Sequence, residues 1–109
     1  MPTELTNYVV VITTVPDDEQ ASRLARELVE RQLAACVQAS AITSTYRWQG
    51  AIEIGREVRL MIKAKLADYD AIQACIVELH SYQNPQIIAL PIVAGARSYL
   101  DWIDAETRL

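Results

Sequence analysis

His80 is the one histidine in the chain, and Cys36 and Cys75 are its two thiols. Soft and borderline metal ions are held by thiolate and imidazole. A dedicated centre needs several such groups, usually with cysteines paired in sequence or set near a histidine. Neither cysteine belongs to a C-x-x-C pair or stands near a sequence-local histidine. Both therefore read as free, buried thiols. His80 alone offers weak metal binding, or serves as a helix-end imidazole satisfied by the dipole or a backbone carbonyl. Nucleophilic catalysis needs a nucleophile with a base in reach. One histidine and three scattered glycines supply neither that pairing nor a phosphate-cradling loop. The chain reads as a protein that is not an enzyme.

A second set of residues suits recognition. Arg59, Lys63 and Lys65 alternate with Leu60, Ile62 and Ala64. Period two puts the cations on one face of a strand. That row is a solvated face, or it pairs with Glu57, or it holds a small anion at a subunit junction. Arg47 stands between Tyr46 and Trp48, a pattern suited to a cation–π contact across an interface. Trp102 reads as packing rather than ligand binding.

These residues need elements to position them. Tyr8-Val-Val-Val-Ile-Thr-Thr-Val15 is β-branched and apolar at nearly every position, as a central strand covered on both faces requires. Pro16 closes it. Asp17 then sits where a helix cap belongs, with Gln20 completing a capping-box pattern. Ala21, Leu24, Ala25, Leu28 and Leu33 recur at helical spacing, and that helix should end near Leu33. Residues 35–65 read as two extended arms joined by Gln49-Gly50. Asp68 should cap a second helix with Ile72, Cys75, Ile76 and Leu79 as its apolar stripe, ending near His80. Residues 87–90 form a fourth strand closed by Pro91, and Gly95 marks a turn. Tyr99, Leu100, Trp102 and Ile103 fit a short C-terminal helix. The expected fold is α+β: a ferredoxin-like βαββαβ sandwich with a long β2–β3 hairpin and a short terminal helix, in one domain over residues 1–109.

Ten basic residues against fourteen acidic ones, net charge −4, with no basic run, argue against nucleic acid or an anionic membrane as partner. The longest apolar runs fall far short of the roughly 20 residues a membrane helix needs. Residues 1–7 carry no positive charge ahead of an apolar stretch, so the expected location is cytoplasmic. The hairpin points to assembly. Arms of about 13 residues reach on the order of 43 Å, against a radius of gyration of about 13 Å for a domain of this size. Either a bulge at Gly55 folds the ribbon back on its own body, or the ribbon projects and packs on another copy.

The same segments carry a family pattern. Ala34-Ala35-Cys36-Val37 enters the hairpin, Tyr46-Arg47-Trp48-Gln49-Gly50 forms its tip, and Glu57, Leu60 and Ile62-Lys63 lie on its return arm. Later come His80-Ser81-Tyr82, Pro85-Gln86-Ile87-Ile88-Ala89-Leu90-Pro91-Ile92 and Tyr99-Leu100-Asp101-Trp102-Ile103. In this order and spacing the chain resembles the CutA family from Tyr8 to about Asp104. The resemblance implies a compact homotrimer held by inter-subunit strand pairing. It further implies a role in tolerance of divalent metals, with copper as the candidate ion and no catalytic reaction. The architecture is similar to that of PII signalling trimers, which hold small ligands such as anions or nucleotides between subunits. By the same resemblance, metal ligands would come from the positions of Thr13, His80 and Gln86, where the family's cysteine and glutamate are replaced by a hydroxyl and an amide. Lys63, Lys65, Tyr82 and Gln86 would line an inter-subunit cleft, and Tyr46, Arg47, Trp48 and Trp102 would lie at the interface. Ser81 stands where the family usually has proline.

Overall fold

The apolar run from Tyr8 becomes the strand it predicts. In the computed structural model, which describes residues 7–108, β1 (Tyr8–Val15) lies between β3 (Ala51–Lys65) and β4 (Ile87–Pro91). Residues 1–6, which include most of the segment read for a leader, and residue 109 fall outside the described residues. With β2 (Cys36–Trp48) the sheet order is β2-β3-β1-β4, every neighbouring pair antiparallel. The helices α1 (Asp18–Glu30), α2 (Tyr69–Leu79) and α3 (Arg97–Glu106) complete the expected ferredoxin-like order.

Alternation along the strands decides which face is covered. Val9, Val11, Thr13 and Val15 stand opposite Ala64, Ile62, Leu60 and Val58, and all eight are buried. Ala21, Leu24 and Leu28 of α1 and Ile72, Cys75 and Ile76 of α2 pack with them in one core. Burying each large aliphatic side chain is worth about 1.5–3 kcal/mol. The opposite face carries Val10, Ile12, Met61, Ile88 and Leu90 in register. Helix α3 and the segment after it meet this face at the Tyr8–Lys65 end, through the Tyr8–Asp104 and Lys65–Arg108 hydrogen bonds, while Ile88 stays 45% exposed and Leu90 47%.

Capping departs from expectation at two places. The Asp17 carboxylate accepts the Gln20 backbone N–H at 2.8 Å, as predicted, but the Gln20 side chain turns to that same carboxylate at 3.5 Å. Asp68 occupies the cap position of α2 yet makes no cap hydrogen bond. One of its oxygens accepts from Arg108 Nε at 2.9 Å instead, and the other is buried without a partner. The single 3-10 turn Leu66–Asp68 takes the place of a side-chain cap. Helix α1 also stops at Glu30, short of Leu33, because Gln32 adopts a left-handed φ of 58°. Leu33 is buried all the same.

The hairpin runs unbroken from Cys36↔Lys63 to Trp48↔Ala51, and Gly55 pairs in register with Ser44. There is no bulge to fold it back. Gln49 and Gly50 turn the chain with φ of 51° and 84°. That is the two-residue turn whose twist matches paired strands. Beyond Val58 the ribbon leaves its own core, and Ile52 and Ile54 are 67% and 71% exposed.

Candidate functional site

The outer hairpin and the loop between α2 and β4 enclose a cleft of about 710 Å³. Thr14, Glu57, Tyr46, Arg47 and Trp48 form one side, and Ser81, Tyr82, Gln83, Asn84 and Gln86 the other. The volume is that of a small-molecule site.

His80 holds the loop in place. It ends α2, its N–H bonding to Ile76 O at 2.8 Å, and its Nε2 lies 2.6 Å from Thr14 O. Nδ1 accepts the Tyr82 backbone N–H at 3.0 Å. An acceptor at Nδ1 and a carbonyl at Nε2 fix the neutral tautomer with its proton on Nε2. The Tyr82 ring packs on the imidazole with centroids 4.7 Å apart, and its hydroxyl donates to Glu57 at 2.8 Å. Burial, reinforced by that carboxylate, pushes the Tyr82 phenol well above its ordinary range. It therefore stays neutral and keeps donating at physiological pH. Ser81 Oγ donates to Gln20 Oε1 at 2.8 Å, tying the loop to α1.

This arrangement divides the sequence-predicted residues. Tyr82 and Gln86 meet Tyr46, Arg47 and Trp48 around the cleft. Lys63 and Lys65 do not line it. Lys63 Nζ donates to Gln38 Oε1 at 2.8 Å across the hairpin, and Lys65 Nζ donates to the Arg108 carbonyl. Glu57, weighed as a partner for the lysine row, serves Tyr82 instead. Trp102 is partly exposed on α3, with its ring 5.6 Å from that of Tyr99, while the neighbouring Ile103 is fully buried. The backbone carbonyl of Thr14 and the amides of Gln83 and Asn84 escaped sequence reading. Their residue types carry no signal apart from the loop that gathers them.

The residues implied as metal ligands do not fit an ion. Thr13 is fully buried on the core-facing side of β1, and its hydroxyl has no partner. Gln86 brings a neutral amide, and both ring nitrogens of His80 are engaged. Among the described residues no group of three or more His, Cys, Asp or Glu converges on a point. Cys36 and Cys75 are free; Cys36 is only half-buried, and burial raises the Cys75 thiol pKa.

Comparison with known proteins places the chain. It matches the CutA1 divalent ion tolerance protein family over residues 9–106. It is 42% identical over 99 residues to the divalent-cation tolerance protein CutA of Thermus thermophilus, covering 90% of this chain and 96% of that one. The corresponding protein of Pectobacterium atrosepticum is 37% identical over 105 residues, 95% of this chain and 96% of its own. The crystal structure of CutA1 from the psychrotrophic bacterium Shewanella sp. SIB1 superposes with a TM-score of 0.93 at 38% identity, covering 97% of this chain and all of that one. Sequence and fold agree over the same residues, so this chain belongs to the CutA1 divalent ion tolerance protein family.

Proposed function

We propose that this protein acts as a homotrimer in tolerance of divalent metal ions, copper among them, without catalysing a reaction. The observation that carries the assembly is the bare outer hairpin, with Ile52 and Ile54 more than half exposed beside Tyr46 and Trp48. A projecting two-stranded ribbon is marginal in water by itself. A second apolar patch, Ile88 and Leu90 on β4, is exposed on the face away from α1 and α2, near the opposite edge of the sheet. Two different patches on one chain favour a head-to-tail contact, which closes into a ring when the rotation allows. The misfit of Thr13, His80 and Gln86 to an ion supports a role in the response that does not pass through a strong site there. In light scattering with native mass spectrometry, the expected mass is three times the 12.2 kDa of the chain, with no stoichiometric copper retained. A stable single chain at micromolar concentration would remove the basis of this reading.

The cleft favours a second reading, a sensor that holds a small ligand between subunits. A specific ligand raises the melting temperature by linkage, so a thermal-shift screen of metabolites tests it.

A further inference from the structure

Resting on the trimer reading, we propose that neighbouring copies meet ribbon on ribbon: the arginine face of one outer hairpin seats on the glutamate face of the next, with Ile54 entering the gap at Gly55. The ladder pairs Thr43 with Arg56, Thr45 with Ile54 and Arg47 with Ile52. Alternation puts these side chains on one face, the face that further in, at Val58, joins the core with α1 and α2. The ladder also pairs Ile42 with Glu57, Ser44 with Gly55 and Tyr46 with Glu53. These occupy the other face, which continues along the sheet to Ile88 and Leu90.

The two faces match in charge, spacing and shape. The Thr43–Arg56 rung lies four steps from the Arg47–Ile52 rung, and the Ile42–Glu57 rung lies four steps from the Tyr46–Glu53 rung. The arginines on one face and the glutamates on the other are therefore both set about 13 Å apart along the ribbon. Ile54 sits midway between the arginines, and Gly55 midway between the glutamates. Ile54 is 71% exposed, and no atom lies within 4 Å of where a Gly55 Cβ would stand. A knob flanked by cations thus answers a gap flanked by carboxylates. Tyr46 adds a ring beside Glu53, a surface on which a guanidinium stacks.

The chain itself does not use these charges against one another. Among the described residues Arg47, Arg56 and Glu53 are exposed and form no salt bridge within the chain. Glu57 accepts one hydrogen bond, from Tyr82, and a carboxylate offers about four acceptor sites. A guanidinium fork fits what is left. Charge also sets the symmetry. Packing either face on its own copy would bring like charges together, which is costly. Packing one face on the other is head-to-tail, the contact that closes into a ring when the rotation allows.

Sedimentation velocity over a range of protein concentrations, with far-UV circular dichroism as the check on folding, tests the pairing. Arg56→Glu and Glu53→Arg should each weaken assembly by at least roughly tenfold with the circular dichroism unchanged. Reversing both partners of one contact should restore it. Arg56→Glu with Glu53→Arg is the rescuing pair where the two ribbon tips point opposite ways, and Arg47→Glu with Glu53→Arg where they point the same way. Gly55→Leu, for which the chain itself has room, should also weaken assembly, because it fills the gap that Ile54 enters. A parent protein that sediments as a single chain overturns the trimer reading and this contact together. A trimeric parent whose affinity survives both single reversals and Gly55→Leu overturns this contact and leaves the trimer standing. Weakened assembly that neither double variant restores overturns the pairing of arginine with glutamate, again with the trimer intact.

Discussion

Thr13 shows how a single side chain can be at odds with its surroundings. Its hydroxyl is fully buried with no partner, and an unmade buried hydrogen bond costs about 1–3 kcal/mol. Thr13→Val keeps the shape and removes the polar atom. Urea melts should show it more stable by about 1 kcal/mol. Tyr8 and Tyr82 govern the alkaline side. A hydrogen bond to Asp104 raises the Tyr8 phenol, and burial followed by Glu57 raises that of Tyr82. Each folded-state pKa lies above the unfolded value of 10.0, so the unfolded chain releases these protons first. Their stabilisation is whole below about pH 10 and is lost as pH climbs beyond it. Absorbance at 295 nm should show two late-titrating tyrosines, and Tyr8→Phe and Tyr82→Phe should each remove one. A late component untouched by both substitutions would refute the assignment.

At the scale of elements, the hairpin turn and the C-terminal strap can be tested separately. Gly50 sits at φ 84° with open space where a Cβ would go. The penalty of a side chain there is therefore conformational, and Gly50→Ala should destabilise by about 1 kcal/mol. Gln49, at φ 51°, stands where such turns prefer asparagine, so Gln49→Asn should stabilise by about 0.3–0.5 kcal/mol. Thermal melts of both variants check the pair, and a neutral Gly50→Ala would argue against the turn geometry. Arg108 binds the buried Asp68 carboxylate, and its own N–H reaches Gln32 O at 2.9 Å. Arg108→Ala leaves a buried carboxylate with neither oxygen bonded. Denaturant titration should show a loss of about 1–3 kcal/mol.

At the scale of the molecule, the outer hairpin is the part that the chain's own core does not shelter. Ile54→Asp places a charge at the most exposed point of the ribbon's apolar patch, far from the packed core. It should reduce the solution mass to the 12.2 kDa of one chain while far-UV circular dichroism keeps its subunit signature. Under the proposed assembly the melting temperature of the parent protein should rise with protein concentration, as mass action requires of a folded oligomer. An Ile54→Asp variant with the parent's mass would show that the ribbon is not the assembly surface.

Sequence alone determined the order of strands and helices, because the chain's period-two and helical apolar patterns each suit only one kind of element. Val58, Leu60, Ile62 and Ala64 announced their buried face, and Gln49-Gly50 announced the turn. Pattern also identified the aromatic tip and Tyr82, since such side chains at loops and ribbon ends are conspicuous wherever they fall. Only the tertiary structure decided which of them meet. Lys63 and Lys65 share a face with Glu57, yet they bond to Gln38 and Arg108, while Tyr82 crosses from a distant loop to take Glu57. Asp68 looked like a cap and became the anchor of Arg108 for the same reason. Periodicity is a local property of the backbone, whereas hydrogen-bond partners are chosen by whichever groups the packed core brings within reach.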